Sequence, residues 1–267
     1  MPTLTPSLIS IAPHSPPLPL ERLRLPEDLD GRTGGNRAGP EVVCQLAASN
    51  DLDAVQTWLA EFHDSPQTLR TYRKEAERLL LWALMERCKP LSSLTREDCL
   101  RYEAFLADPQ PHDRWCGPKA PRFSERWRPF MGPLSPASRK IALLIINALF
   151  SYLVKAGYLA GNPLALARRR NRGHQPLREI ERFLEQDQWQ ALLAAIEGLP
   201  RDTERACQHY ARARYLIALL YLLGPRVSEV AGHTMSSFVQ VRGRWWWQVT
   251  GKGQKEARVP VDQDMLE

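Results

Sequence analysis

The stretches GPRVSEV (residues 224–230) and VTGKGQKEARVPV (residues 249–261) decide how the second half of this chain folds. The first places Arg226 after a Gly-Pro helix break and before a new helical turn. The second places Lys252 between two glycines and between two strand-like runs, which predicts a β-hairpin with the lysine at its tip. Together they predict one cation on a rigid turn and another on a mobile tip.

Two cations held in this way suit the chemistry of phosphodiester bonds. When a nucleophile attacks phosphorus, charge builds on the non-bridging oxygens, and a fixed guanidinium such as that of Arg226 can stabilise it. The leaving sugar oxygen needs a proton, which an ammonium such as that of Lys252 can supply. Each feature alone is common, since a GKG turn can be ordinary and Arg226 with Glu229 can be a surface pair. Their order and spacing favour the phosphodiester site.

The two stretches resemble motifs of the tyrosine recombinase (phage integrase) family. Residues 224–230 are similar to its first arginine box, G-[LM]-R-x-[SG]-E-[LI], with Pro225 in place of Leu or Met. Residues 249–261 are similar to its hairpin signature, a glycine-flanked lysine followed by a basic strand that ends in Val-Pro. Proline fixes the backbone that enters the box, so Pro225 raises the question of how the arginine is placed.

The resemblance implies a role for each matched residue and a set of partners. Arg226 would grip the scissile phosphate, Lys252 would protonate the leaving 5′ oxygen, and Glu229 would buttress Arg226. The implied partner is double-stranded DNA, bound by a dimer on each site and by a tetramer when two sites pair. The resemblance also implies that no metal and no cofactor is needed.

The rest of the chain predicts a mainly α protein with a small β-sheet. Residues 1–47 hold eight prolines and little apolar periodicity, which predicts a flexible tail; the alternative is a tail that pairs with a neighbouring subunit. Residues 48–167 carry apolar side chains at helical spacing, Ile141 and Leu144 among them, and resemble the family's helical, SAM-like core-binding domain. Helix starts are predicted there at Ser49, at the pairs Ser65-Pro66 and Ser135-Pro136, and at a capping box of Thr95 and Asp98. Residues 168–182 predict a basic linker. Residues 183–267 predict the N-terminal half of the mixed α+β integrase catalytic domain, with a turn between strands at Arg242-Gly243.

Residues 108–134 interrupt the helical pattern with six prolines and interleaved arginines and tryptophans. Two interpretations stay open for this loop. Its arginines and tryptophans could pack on a DNA backbone. Alternatively, it is an ordered surface loop that uses its tryptophans as anchors.

Basic residues in several segments are candidate DNA contacts. The net charge of +6 and the pI of about 9.2 favour polyanionic partners. In the linker, neutralised phosphates would release counterions, although a solvated charge run is the alternative. The predicted DNA-binding residues are Arg70, Arg73, Arg139, Lys140, Arg168, Arg169, Arg170, Arg172, Lys255 and Arg258.

Cysteine usage indicates a cytoplasmic protein, and the resemblance implies a bacterial or phage origin and an association with the nucleoid. The five cysteines are scattered without a CxxC pair, so the sequence predicts neither a disulfide framework nor a zinc site. The N-terminus lacks a basic segment followed by an apolar run, so no secretory signal is expected. The uncharged apolar runs are shorter than a membrane-spanning helix needs.

The family's remaining catalytic motifs, a His-x-x-Arg box and a nucleophilic tyrosine, are expected further downstream, whereas all seven tyrosines precede Arg226. We therefore expect this 267-residue, C-terminally truncated chain to bind DNA without cutting it. The favoured interpretation is the first part of a recombinase that integrates or excises mobile DNA. The alternative is a catalytically dead integrase that acts as a non-enzymatic, DNA-binding regulator.

Overall fold

The computed structural model describes residues 16–166, 183–251 and 255–261. Within those ranges the protein is mainly α-helical with one small antiparallel sheet, which confirms the predicted fold class. The chain divides into two compact units, residues 1–171 and residues 172–267. The predicted basic linker at 168–182 lies outside the described residues.

Five helices make up the first unit, within its described part. They are α1 (Asp51–Ala60), α2 (Pro66–Glu86), α3 (Arg96–Ala107), α4 (His112–Trp115) and α5 (Pro136–Lys155). Ser-Pro pairs begin α2 and α5, with proline in the first turn, where its missing N–H costs nothing. The predicted capping box of Thr95 and Asp98 begins α3. Asn50 caps α1, rather than the expected Ser49.

The core of this unit forms where α2 and α5 pack together. Every residue of α2 from Glu75 to Met85 is buried, so the second half of this helix is covered on all sides. Helix α5 is long and apolar enough, by length and composition, to cross a membrane. Its side chains Ile145, Leu149 and Leu153 lie buried in the core of this unit.

Residues 16–47 correct the prediction of a flexible tail over 1–47, for the part that the structure describes. Leu20 and Leu23 are buried in the core, and the backbone N–H of Leu20 donates to the buried carboxylate of Glu77, at 3.0 Å. A proline-rich composition does not require mobility when its few leucines find an apolar surface.

The buried carboxylate of Asp51, on α1, lies against the middle of the same segment. Asp51 accepts hydrogen bonds from the backbone and hydroxyl of Ser92 and from the hydroxyl of Tyr158, all within 3.0 Å. Burial raises the pKa of Asp51, because the charged form loses its water. Gly31, at φ +87°, passes so close to Asp51 that a side chain there would clash. The N-terminal segment therefore follows the helical surface closely.

The loop 108–134 has the ordered form that was one of the two interpretations. Trp115 is fully buried and its indole N–H donates to Glu86, at 2.8 Å. Arg122 forms ion pairs with Glu21 of the N-terminal segment and with the buried Glu77, at 2.7 and 2.8 Å. Trp115 is thus an anchor of the loop, and Arg122 is engaged inside the protein.

The second unit contains three helices and the sheet, within its described part. These are α6 (Gln186–Glu197), α7 (Glu204–Leu223), α8 (Val227–Gly232), β1 (Phe238–Val241), β2 (Arg244–Gly251) and β3 (Lys255–Pro260). The strands run antiparallel in the order β1-β2-β3. The predicted turn at Arg242-Gly243 joins β1 to β2, with both residues at positive φ. Trp247, at the middle of β2, is the fully buried centre of this sheet.

We expect Arg122→Ala to destabilise the first unit by about 2 kcal/mol, because it leaves the buried carboxylate of Glu77 without its cation. Urea unfolding followed by circular dichroism would measure the loss. Arg126→Ala is the matched control, since Arg126 lies on the same loop and is exposed. Equal unfolding midpoints for the two variants would contradict the structural role of Arg122.

Candidate functional site

The turn before Arg226 ends one helix and begins the next. Gly224 adopts a left-handed conformation at φ +55°, and its N–H closes α7 by donating to the carbonyl of Leu220. Pro225 follows at the position where a helix has already ended and its missing donor is not required. Arg226 is then the N-cap residue of α8. The proline is thus compatible with the arginine turn.

Glu229 holds Arg226 through two hydrogen bonds. The backbone N–H of Arg226 donates to Oε2 of Glu229 at 2.8 Å, and its guanidinium donates to Oε1 at 2.7 Å. The side chain of Arg226 is 68% exposed, whereas that of Glu229 is 9% exposed. The backbone hydrogen bond from Arg226, followed by the guanidinium contact, lowers the pKa of Glu229. The arginine is therefore fixed at its base and open to solvent at its tip.

The end of strand β2 lies beside this pair. A methyl group placed on Gly251 would lie 3.5 Å from Oε1 of Glu229 and 3.6 Å from Nη1 of Arg226. The two motifs, which are about twenty residues apart in the sequence, thus meet in the fold at Arg226 and Gly251. The sequence predicted both motifs but could not show this contact.

The predicted lysine, Lys252, lies outside the described residues, directly after Gly251 in the chain. Lys255 and Arg258, the other basic residues predicted for the hairpin, lie on β3 and are exposed. Lys255 pairs with Gly251 across the strands and Arg258 with Gln248. The sheet therefore presents two further cations on the strand that follows the hairpin tip.

The predicted DNA contacts of the first unit differ in their surroundings. Arg70 on α2 and Lys140 on α5 are exposed. Arg73 forms an ion pair with Glu21 at 3.3 Å, so its charge is partly engaged within the protein. Arg139 is half-buried, and its Nε has no hydrogen-bond partner among the described residues. The linker arginines Arg168, Arg169, Arg170 and Arg172 lie outside the described residues.

Exposed apolar side chains accompany these cations. Ile141 and Leu144 have the spacing of core residues, yet they are 57% and 63% exposed on α5. Ile141 and Lys74 line a groove of about 770 Å³ between α2, α5 and residues 128–134. Helical periodicity could not distinguish these positions, because an apolar stripe wider than the buried face has the same spacing.

No cluster of three or more His, Cys, Asp or Glu side chains that could hold a metal ion occurs among the described residues. The guanidinium of Arg226 and the basic side chains of β3 are exposed to solvent. They can bind an anion through the guanidinium and adjoining strand.

The chain is similar in sequence to curated tyrosine recombinases. Over 197 residues the chain is 27% identical to tyrosine recombinase XerC of Xylella fastidiosa (strain 9a5c), covering 74% of this chain and 54% of that protein. Over 118 residues it is 32% identical to tyrosine recombinase XerC of Mycobacterium tuberculosis (strain ATCC 25177 / H37Ra), covering 44% of this chain and 37% of that protein. The chain thus spans about half the length, or less, of these curated relatives.

A solved structure shares the fold. XerH site-specific recombinase, bound to palindromic difH substrate in a post-cleavage complex, matches with a TM-score of 0.53 and 15% identity, covering 82% of this chain and 55% of that one. No protein-family model matches the chain. The curated relatives support this chain as a tyrosine recombinase family member, as its two motifs predicted, and the XerH structure shows the same fold.

We expect Glu229 to titrate below the usual range of a glutamate, since its carboxylate accepts two hydrogen bonds from Arg226. Arg226→Ala should raise the pKa of Glu229, because the guanidinium contact disappears while the backbone bond remains. Carboxyl ¹³C NMR of Glu-labelled protein would measure both, with the resonance assigned by Glu229→Gln. The same low value in both proteins would mean that the side-chain contact contributes nothing.

Proposed function

We propose that this chain serves in site-specific recombination, as the part of a tyrosine recombinase that binds duplex DNA and carries the first part of the site that acts on phosphodiester bonds. The observation that carries the proposal is the meeting of Arg226, Glu229 and Gly251. That arrangement presents an oriented guanidinium on a rigid turn, with the segment of the predicted lysine beginning at the same place. The similarity to XerC proteins and the fold shared with XerH, which is described with its difH substrate, support it.

Arg226 would bind the non-bridging oxygens of the scissile phosphate. Glu229 engages Nη1 of the guanidinium, and no other side-chain hydrogen bond of Arg226 occurs within the described residues. The remaining N–H groups suit a two-point contact with phosphate. Glu229 would keep this fork in one orientation, so that charge stabilisation needs no rearrangement as the transition state forms. Lys252 would donate the proton to the leaving 5′ oxygen.

The first unit would supply contacts to the DNA backbone. Arg70 and Lys140 are exposed at the N-terminal halves of α2 and α5, the two helices that border the groove. The linker segment 168–172 and Arg139 would add contacts, as would Lys255 and Arg258 beside the phosphate site. Arg73 would contribute less, because Glu21 already neutralises part of its charge.

The wider role follows from the same proposal. The protein would act in the cytoplasm at the nucleoid, in integration or excision of mobile DNA. It would bind as a dimer on each site and form a tetramer when two sites pair. The chemistry proposed for Arg226 and Lys252 uses no metal or nucleotide cofactor.

We expect the double variant Arg70→Ala/Lys140→Ala to bind a duplex of arbitrary sequence about tenfold more weakly near 0.1 M salt. The slope of log affinity against log salt should fall by about two, since two phosphate contacts are lost. Fluorescence anisotropy of labelled DNA measures both. Arg101→Ala/Lys155→Ala is the control, because it removes the same charge from two exposed positions outside the proposed contacts. Equal losses in the two variants would assign the binding to net charge alone.

We expect Arg226→Ala to leave DNA affinity within about twofold while abolishing strand cleavage, since its contact is made to one phosphate among many. Cleavage would be followed as a covalent protein–DNA adduct, in a recombinase that contains these residues together with a nucleophilic tyrosine. A variant that loses affinity but still forms the adduct would disprove the catalytic role given to Arg226.

A further inference from the structure

The imidazole of His233 lies where four elements of the second unit meet. It directly follows α8, and its ring is stacked on Tyr215 of α7 with centroids 5.7 Å apart. Phe238 of β1 and Trp247 of β2 each meet the ring edge-on, at 6.0 and 5.7 Å. Three aromatic side chains from three elements thus surround one half-buried histidine.

Two short hydrogen bonds fix the ring within this aromatic box. Nδ1 lies 2.6 Å from the carbonyl oxygen of Val230, and Nε2 lies 2.6 Å from the hydroxyl of Tyr215. A carbonyl can only accept, so Nδ1 carries the proton, and in the neutral ring Nε2 accepts from Tyr215. Burial raises the pKa of Tyr215, which keeps this donor protonated. The chemistry of the contacts thus assigns the tautomer.

The contact to Val230 matters because α8 is short. A helix of six residues is not stable by itself, and the carbonyls of its last turn lack partners within the helix. Glu229 secures the first turn by accepting from Arg226, and His233 satisfies the carbonyl of Val230 in the last turn. The helix that presents Arg226 is therefore held at both ends.

The aromatic contacts tie this helix to the strand that ends at the site. Trp247 contacts the imidazole and lies on β2, whose last residue, Gly251, adjoins Arg226 and Glu229. His233 thus bonds to one side of the Arg226–Gly251 junction and packs against the strand that forms the other. A leucine of similar volume could fill the box, but it could not bond to Val230 and Tyr215.

We propose that His233 is a positioning residue, which sets the Arg226–Glu229 turn against strand β2 so that the guanidinium meets the phosphate in one orientation. The effect on catalysis rests on the proposed function, whereas the effect on the turn does not. His233 lies outside both motifs, and its role is to align the arginine turn with strand β2.

The test measures the turn directly in the full 267-residue chain, without DNA. His233→Phe retains an aromatic ring and removes both hydrogen bonds. His233→Asn retains a donor near the position of Nδ1, so it can still bond to Val230. His209→Phe is the control, because it makes the same change at an exposed histidine on α7. Carboxyl ¹³C NMR reports the pKa of Glu229, and the Nε–H resonance of Arg226 reports the guanidinium.

We expect His233→Phe to raise the pKa of Glu229 toward its usual range and to shift the Arg226 resonance toward that of a solvated arginine. His233→Asn should restore both values toward those of the unaltered protein, and His209→Phe should change neither. Unchanged values in a folded His233→Phe protein would overturn the proposal, and so would equal changes in the Asn and Phe variants.

If His233→Phe fails to fold, Tyr215→Phe replaces it, since this change keeps the aromatic box and removes only the hydroxyl. An upward shift of the Glu229 pKa in Tyr215→Phe would support the proposal, and no shift would overturn it. Failure of the proposed function would appear separately, as adduct formation by Arg226→Ala, and would leave these NMR values untouched.

Discussion

The carboxylate of Glu229 bonds twice to Arg226, once at the backbone N–H that begins α8 and once at the guanidinium. The same two oxygens therefore begin a helix and orient a cation. A short helix of six residues depends on such end contacts, and the exposed arginine depends on the helix for its direction. The fold of this turn and the proposed chemistry thus depend on the same interaction, and Gly251 adjoins both of its partners.

The sequence predicted the parts of the protein in which structure is local. The Ser-Pro helix starts, the Thr95–Asp98 capping box and the Arg242-Gly243 turn all form where they were expected. Each depends on residues within three or four positions of one another, so each leaves a readable pattern. The arginine turn belongs to the same group, because its glycine, proline and carboxylate are neighbours in the chain.

Such local patterns cannot predict contacts between segments that are distant in the sequence. Arg122 and Glu21 are about a hundred residues apart, and nothing in either segment indicates the ion pair. Composition alone predicted a flexible tail where Leu20 is buried, since prolines obscure the few apolar side chains that dock. Ile141 and Leu144 have the spacing of core residues and yet are exposed, because a helical spacing does not show how wide the covered face is. His233 lacked any signal, as its aromatic partners come from three different elements.

The docked N-terminal segment also redefines where the helical unit can be divided. Helix α2 is buried on all sides from Glu75 onward, and part of that cover comes from Leu20 and Leu23. A fragment that begins near residue 48, where the sequence alone suggests a boundary, would expose leucines of α2 to water. It would also lack the backbone N–H of Leu20 that donates to the buried carboxylate of Glu77, which would keep Arg122 as its partner. The shortest form of this unit that folds by itself therefore extends into the proline-rich region, whose leucines cover part of α2.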